Sequence, residues 1–75
     1  MNTKEYTVIY ESGPHNWSAY VPDVPGCVTT GKTRAETERN MQEALAGHLA
    51  LMQESGEPIP EPTTDAGKIR VPVAA

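Results

Sequence analysis

Between Lys4 and Glu11 the side chains alternate, with Tyr6, Val8 and Tyr10 on one face and Glu5, Thr7, Ile9 and Glu11 on the other. A period of two marks a half-buried strand, so residues 4–11 are predicted as the first strand. Gly13 and Pro14 lie in the turn-forming stretch Ser12 to Asn16, which predicts a hairpin loop. The alternation resumes from Trp17 to Val21, with Trp17, Ala19 and Val21 opposing Ser18 and Tyr20, and gives a second strand over 17–21. Pro22 and Pro25 then lack backbone donors and push Val21 and Val24 towards extended geometry, which makes a rigid corner. Gly26 supplies freedom for positive φ, and the β-prone run Cys27 to Thr30 predicts a third strand over 27–30. Three consecutive strands of this kind form an antiparallel meander.

The period changes after Gly31. Thr33 and Glu36 have capping-box spacing, so a helix is expected to start at Arg34. Met41, Leu45, Leu49 and Met52 recur at three and four residues, flanked by Ala35, Ala44 and His48, and this stripe should lie on the sheet. Gly56 suits a C-terminal cap and Pro58, Pro60 and Pro62 forbid further helix, which sets the helix at 34–55. At about 33 Å it outruns a strand of about 20 Å, so the apolar groups around Leu51 are expected to lack cover from the sheet. A proline-spaced linker over 56–66 leads to Lys68–Val73, where Ile69, Val71 and Val73 oppose Lys68, Arg70 and Pro72. This alternation predicts a fourth strand over 68–73, an edge strand because of Pro72, placed parallel to strand one by a right-handed crossover. The order β-β-β-α-β is an α+β layer with one long helix on one sheet face, and residues 1–75 are expected to be a single domain.

Composition narrows the partners. A chain of 75 residues with 37% hydrophobic residues and no Phe has a thin core, so self-association into a dimer or tetramer is expected. Six Lys plus Arg against ten Asp plus Glu give a net charge of −4, the wrong sign for holding phosphates and better matched to a basic protein. Cys27, the one cysteine, cannot close an internal disulfide, and no metal-ligand spacing is present, so neither metal nor cofactor is expected. No apolar run approaches a membrane span or a signal peptide, and a cytoplasmic location is expected.

Several motifs occur in a fixed order. A Tyr-rich first strand and an aromatic second strand precede Val21-Pro22-Asp23-Val24-Pro25-Gly26-Cys27 and Gly31-Lys32-Thr33. An amphipathic helix and Gly56-Glu57-Pro58-Ile59-Pro60-Glu61-Pro62 follow. From about Lys4 to Val73 the chain resembles the HicB family of antitoxins. The resemblance implies a degenerate ribonuclease-H-like fold that binds a small basic messenger-RNA-cleaving toxin, HicA, and masks its active site without being an enzyme. Many members carry a further C-terminal DNA-binding module. This chain ends at Ala75, so a stand-alone form without direct DNA binding is expected. Lys32 stands where an acidic residue is common, and Arg34-Ala35-Glu36-Thr37-Glu38 replaces a more acidic helix start, departures that bear on partner choice. The alternative is an oligomeric scaffold domain of the same fold without a toxin partner.

The candidate chemistry is weaker than this reading. Metal-dependent nuclease activity needs several carboxylates around two ions; Glu5, Glu11 and Glu43 are available, but strand four has none and Asp65 lies in the linker. His15 falls in the hairpin turn, and His48 and Cys27 read as packing groups. The aromatic residues Trp17, Tyr6, Tyr10 and Tyr20 have Glu5 and Glu11 as neighbours rather than the cations of a nucleic-acid platform. Gly26 to Thr33 satisfies the Gly-x4-Gly-Lys-Thr string of a phosphate loop, but its four intervening residues are β-prone and follow a proline corner. No catalytic, metal or cofactor residue is therefore assigned, and no individual partner contact.

Overall fold

A computed structural model of the chain describes residues 3–74; Met1, Asn2 and Ala75, the ends of the expected domain, lie outside the described residues. The hairpin sets the register of the whole sheet. β1 (Ile9–Ser12) and β2 (Trp17–Tyr20) pair antiparallel from Ser12↔Trp17 to Ile9↔Tyr20, around a turn in which the Gly13 amide donates to Asn16 O at 2.7 Å. β2 pairs antiparallel with β3 (Val28–Gly31), giving the order β1-β2-β3.

The first strand is shorter than the alternation predicts, and the corner supplies the reason. The Val21 amide faces β3, donating to Cys27 O at 3.2 Å, and Pro22, the next residue in line to face β1, has no amide and opens the corner, so residues 4–8 gain no ladder. Their sidedness nevertheless holds: Tyr6, Val8 and Tyr10 pack against the core. The third strand begins one residue late because both the Cys27 amide and its carbonyl are used within the corner.

α1 (Arg34–Glu54) starts at Thr33, whose side chain accepts from the Glu36 amide at 3.0 Å. This is half of a capping box; no bond returns from the Thr33 amide to the Glu36 carboxylate. The helix ends in a Schellman motif: Gly56 has φ 74°, its amide donates to Gln53 O, and the Glu57 amide donates to Met52 O. Met41 is buried with Ala19, Val21, Val24 and Cys27, while Ala44, Leu45 and Leu49 pack at the edge of that cluster. Ala35 is exposed rather than part of the stripe, and Leu51 is 64% exposed beyond the sheet. Thr37 occupies the core position that Ala35 does not. It is fully buried, and its hydroxyl is satisfied by Thr33 O at 2.7 Å.

The expected fourth strand is not formed in the single chain. Residues 68–73 have no strand assignment, and Ile69, Val71 and Val73 are 89%, 66% and 89% exposed. Residues 68–73 make no ladder with the sheet, so their backbone groups are left to solvent. The described residues thus form a three-stranded antiparallel sheet with one helix on one face, an α+β arrangement followed by an extended C-terminal stretch.

Candidate partner-binding surfaces

The proline corner is two linked turns. Val24 N donates to Val21 O and Cys27 N donates to Val24 O, both at 3.1 Å, and Gly26 at φ 86° after Pro25 gives the second turn type II character. Val21, Val24 and Cys27 point into the core, which leaves Asp23 on the outside of the corner, half-buried.

Asp23 closes the structure over a separation of forty residues. Its carboxylate accepts from the amides of Thr63 and Thr64 at 2.9 and 2.8 Å and from their hydroxyls at 3.1 and 2.7 Å. The Thr64 amide is the main cause holding the Asp23 carboxyl below its usual pKa, helped by the Thr64 hydroxyl and by Thr63. Tyr6 Oη donates to Pro60 O at 2.5 Å, Thr7 Oγ1 donates to Thr64 O at 2.6 Å, and Lys4 pairs with Glu61 at 3.1 Å. The proline-spaced linker is therefore a strap lashed to the N-terminal segment and the corner. Sequence reasoning missed this latch because Asp23, Thr63 and Thr64 carry no periodic signal. The Asp between Pro22 and Pro25 and the Thr-Thr pair after Pro62 are the only local hints.

Under the strap runs an apolar groove of 480 Å³ lined by Lys4, Tyr6, Leu45, Leu49, Gln53 and Ile59, among others. On the opposite face of the sheet, the register places Ile9, Tyr20 and Val28 in one row across the three strands, with Tyr20 40% and Val28 67% exposed.

The residues considered for chemistry are dispersed. Glu5, Glu11 and Glu43 are exposed, and among the described residues no three His, Cys, Asp or Glu side chains are grouped to hold a metal ion. His15 is exposed in the hairpin turn. His48 is half-buried over the corner, where a Cβ on Gly26 would lie 3.9 Å from its Cε1. Cys27 is buried 3.7 Å from Met41 Sδ, and burial raises its thiol pKa, the opposite of a reactive cysteine. Gly31, in the phosphate-loop string, is buried against the helix: a Cβ there would lie 2.5 Å from Thr37 Oγ1 and 2.8 Å from Thr37 N. Close packing thus accounts for this glycine. Arg34, one of the residues that depart from the HicB pattern, lies 4.0 Å from the Tyr10 ring centroid and pairs with Glu38 at 2.7 Å.

A family model described as the HicB-like antitoxin of bacterial toxin–antitoxin systems matches residues 6–72. The chain belongs to the HicB-like antitoxin family. A chain of a solved HicA3 and HicB3 toxin–antitoxin complex is 32% identical, with a TM-score of 0.69 over 80% of this chain and 70% of that one. An uncharacterised 14.9 kDa protein from the rep-hol intergenic region of Haemophilus phage HP1 is 36% identical over 56 residues. That alignment spans 75% of this chain but 42% of the phage protein. A UPF0150 protein of Thermoplasma acidophilum is 35% identical over 57 residues, covering 75% of this chain and 83% of that protein. The HicB-like match takes in the proline corner, the helix, the strap and most of residues 68–73.

Proposed function

We propose that this HicB-like chain is an antitoxin that binds a small basic HicA-like messenger-RNA-cleaving toxin and masks it by protein contact, without catalysis of its own. The observation that carries the reading is the likeness, at 32% identity, to a chain of a HicA3 and HicB3 toxin–antitoxin complex. The charge supports it: a net −4 attracts a basic protein and repels a nucleic-acid backbone. Exposed Glu38, Glu43 and Glu54 on the helix and Glu57 and Glu61 on the strap set the acidic groups where a partner can reach them. An antitoxin of this kind acts in the cytoplasm, where the toxin meets its messenger RNA; among the described residues no helix is long and apolar enough to cross a membrane. Co-expression with the product of a neighbouring gene for a small basic chain tests the reading. The toxin alone should arrest growth, and this chain should relieve the arrest while co-purifying with it. Absence of any such gene, or a product that stays toxic with this chain bound, sinks the proposal in favour of a toxin-free scaffold.

A further inference from the structure

Residues 68–73 carry the alternation of a strand and have no sheet. Ile69, Val71 and Val73 share one face and, because backbone groups alternate with the same period of two, one edge; Lys68, Arg70 and Pro72 share the other. Pro72 has no amide, so its edge cannot continue a ladder, whereas the edge of Ile69, Val71 and Val73 has every donor it needs. The segment is built to end a sheet, not to sit inside one. The HicB-like match runs to residue 72, so most of the segment belongs to the family domain.

A recipient edge exists on β1. No backbone hydrogen bond outside the β1–β2 ladder involves Ile9–Ser12 among the described residues. The other edge, on β3, is already occupied in part, since Asn40 Nδ2 donates to Thr30 O at 2.9 Å. Both faces of β1 suit the segment. Tyr10, with Val8 just before the strand, gives an apolar side for Ile69, Val71 and Val73, and exposed Glu11 gives an acidic side for Lys68 and Arg70. Lys68 and Arg70 are two of the chain's six cations, which leaves four against ten carboxylates in the rest.

We propose that residues 68–73 form the fourth strand of a second copy's sheet, added to the free edge of its β1, in a reciprocal two-fold dimer. In the single chain, Thr64 is pinned to Asp23 and Thr7, and from Asp65 to Ala74 the chain runs out exposed, leaving its own β1 edge unused. The chain exposes 6123 Å², whereas a folded monomer of 8.1 kDa exposes about 4,500 Å². That excess surpasses the roughly 800 Å² per partner of a standard interface. The Cα radius of gyration of 14.9 Å likewise exceeds the roughly 11 Å of a compact chain this long. Exchange of two arms removes both unpaired edges at once, and Pro72 on the new outer edge stops further addition, so the assembly closes as a dimer. The proposal is independent of the toxin reading.

Light scattering of the full chain at micromolar concentration tests it. The parent chain should show twice the 8.1 kDa chain mass. Val71→Asp, at an exposed position, should return it to the chain mass with the helical circular dichroism unchanged. In an equal mixture of two isotope-labelled chains, Val71 methyl groups should show intermolecular contacts to Tyr10 or Val8. A parent chain of monomer mass overturns the proposal, as does a dimer that survives Val71→Asp. Dissociation by Leu51→Lys but not by Val71→Asp would move the contact to the helix end and also overturn it.

Discussion

Gly31→Ala adds one methyl group where the structure has no room for it. The new Cβ would lie 2.5, 2.8 and 3.0 Å from Oγ1, N and Cα of Thr37, and the last two of these atoms are helix backbone. Relief requires lifting the first turn of α1 from β3, because rotating the buried Thr37 hydroxyl would break its 2.7 Å bond to Thr33 O and still leave the backbone N and Cα in place. Overpacking of this kind costs about 1–3 kcal/mol. A chain of 75 residues has a total stability of only about 4–11 kcal/mol, so the loss is a large share of it. At roughly 4–8 °C per kcal/mol, a loss of about 2 kcal/mol lowers the thermal midpoint by roughly 8–16 °C. Gly47→Ala is the matched control: nothing lies within 4 Å of its Cβ position on the exposed side of the helix, and the change should gain about 0.8–1 kcal/mol. Thermal melts followed by circular dichroism read both variants. A Gly31→Ala midpoint within about 2 °C of the parent, or above that of Gly47→Ala, would refute the steric account. It would also reopen the phosphate-loop string, which calorimetry with ATP then checks directly.

Asp23→Ala should release the strap, seen as faster hydrogen exchange at the Thr63 and Thr64 amides with the α1 amides unchanged. Acid should do the same: the folded Asp23 pKa is depressed, so its contribution is fully present above about pH 4 and is lost as pH falls through the lower folded value. Thr63 and Thr64 protection that is the same in Asp23→Ala as in the parent at neutral pH would contradict the latch. Met41→Ala, at a side chain only 2% exposed, should cost about 2–5 kcal/mol in denaturant titration, and a cost below 1 kcal/mol would place the core elsewhere. Cys27 should resist thiol reagents in the native chain and react at the rate of opening, because it is buried with a raised pKa; rapid native labelling would contradict its structural role.

The sheet and helix were legible because their signals are local. Alternation placed Tyr6, Val8 and Tyr10 inward even where no ladder forms, and Thr33 and Gly56 mark the ends of α1 by their own backbone chemistry. What failed did so at long range. Alternation extends strand one back to Lys4 because periodicity reports a buried face but not the partner that the corner withholds beyond Tyr20. The strand-four pattern is present but unpaired in one chain, since alternation cannot say whose sheet it matches. The Asp23 latch was invisible because four hydrogen bonds across forty residues leave no spacing to find. The proline corner, the helix and the Gly56 to Pro62 strap all lie within the HicB-like match over residues 6–72.

The proposed action of this chain is to silence a toxin by covering it. The most direct measurement is RNA cleavage by the purified neighbouring basic protein, titrated with this chain, with size-exclusion chromatography of the same mixtures. Cleavage should fall in proportion to added chain and stop at a fixed stoichiometry, where both proteins elute together. Cleavage that continues undiminished while the two co-elute, or two proteins that never co-elute at micromolar concentration, would contradict the account.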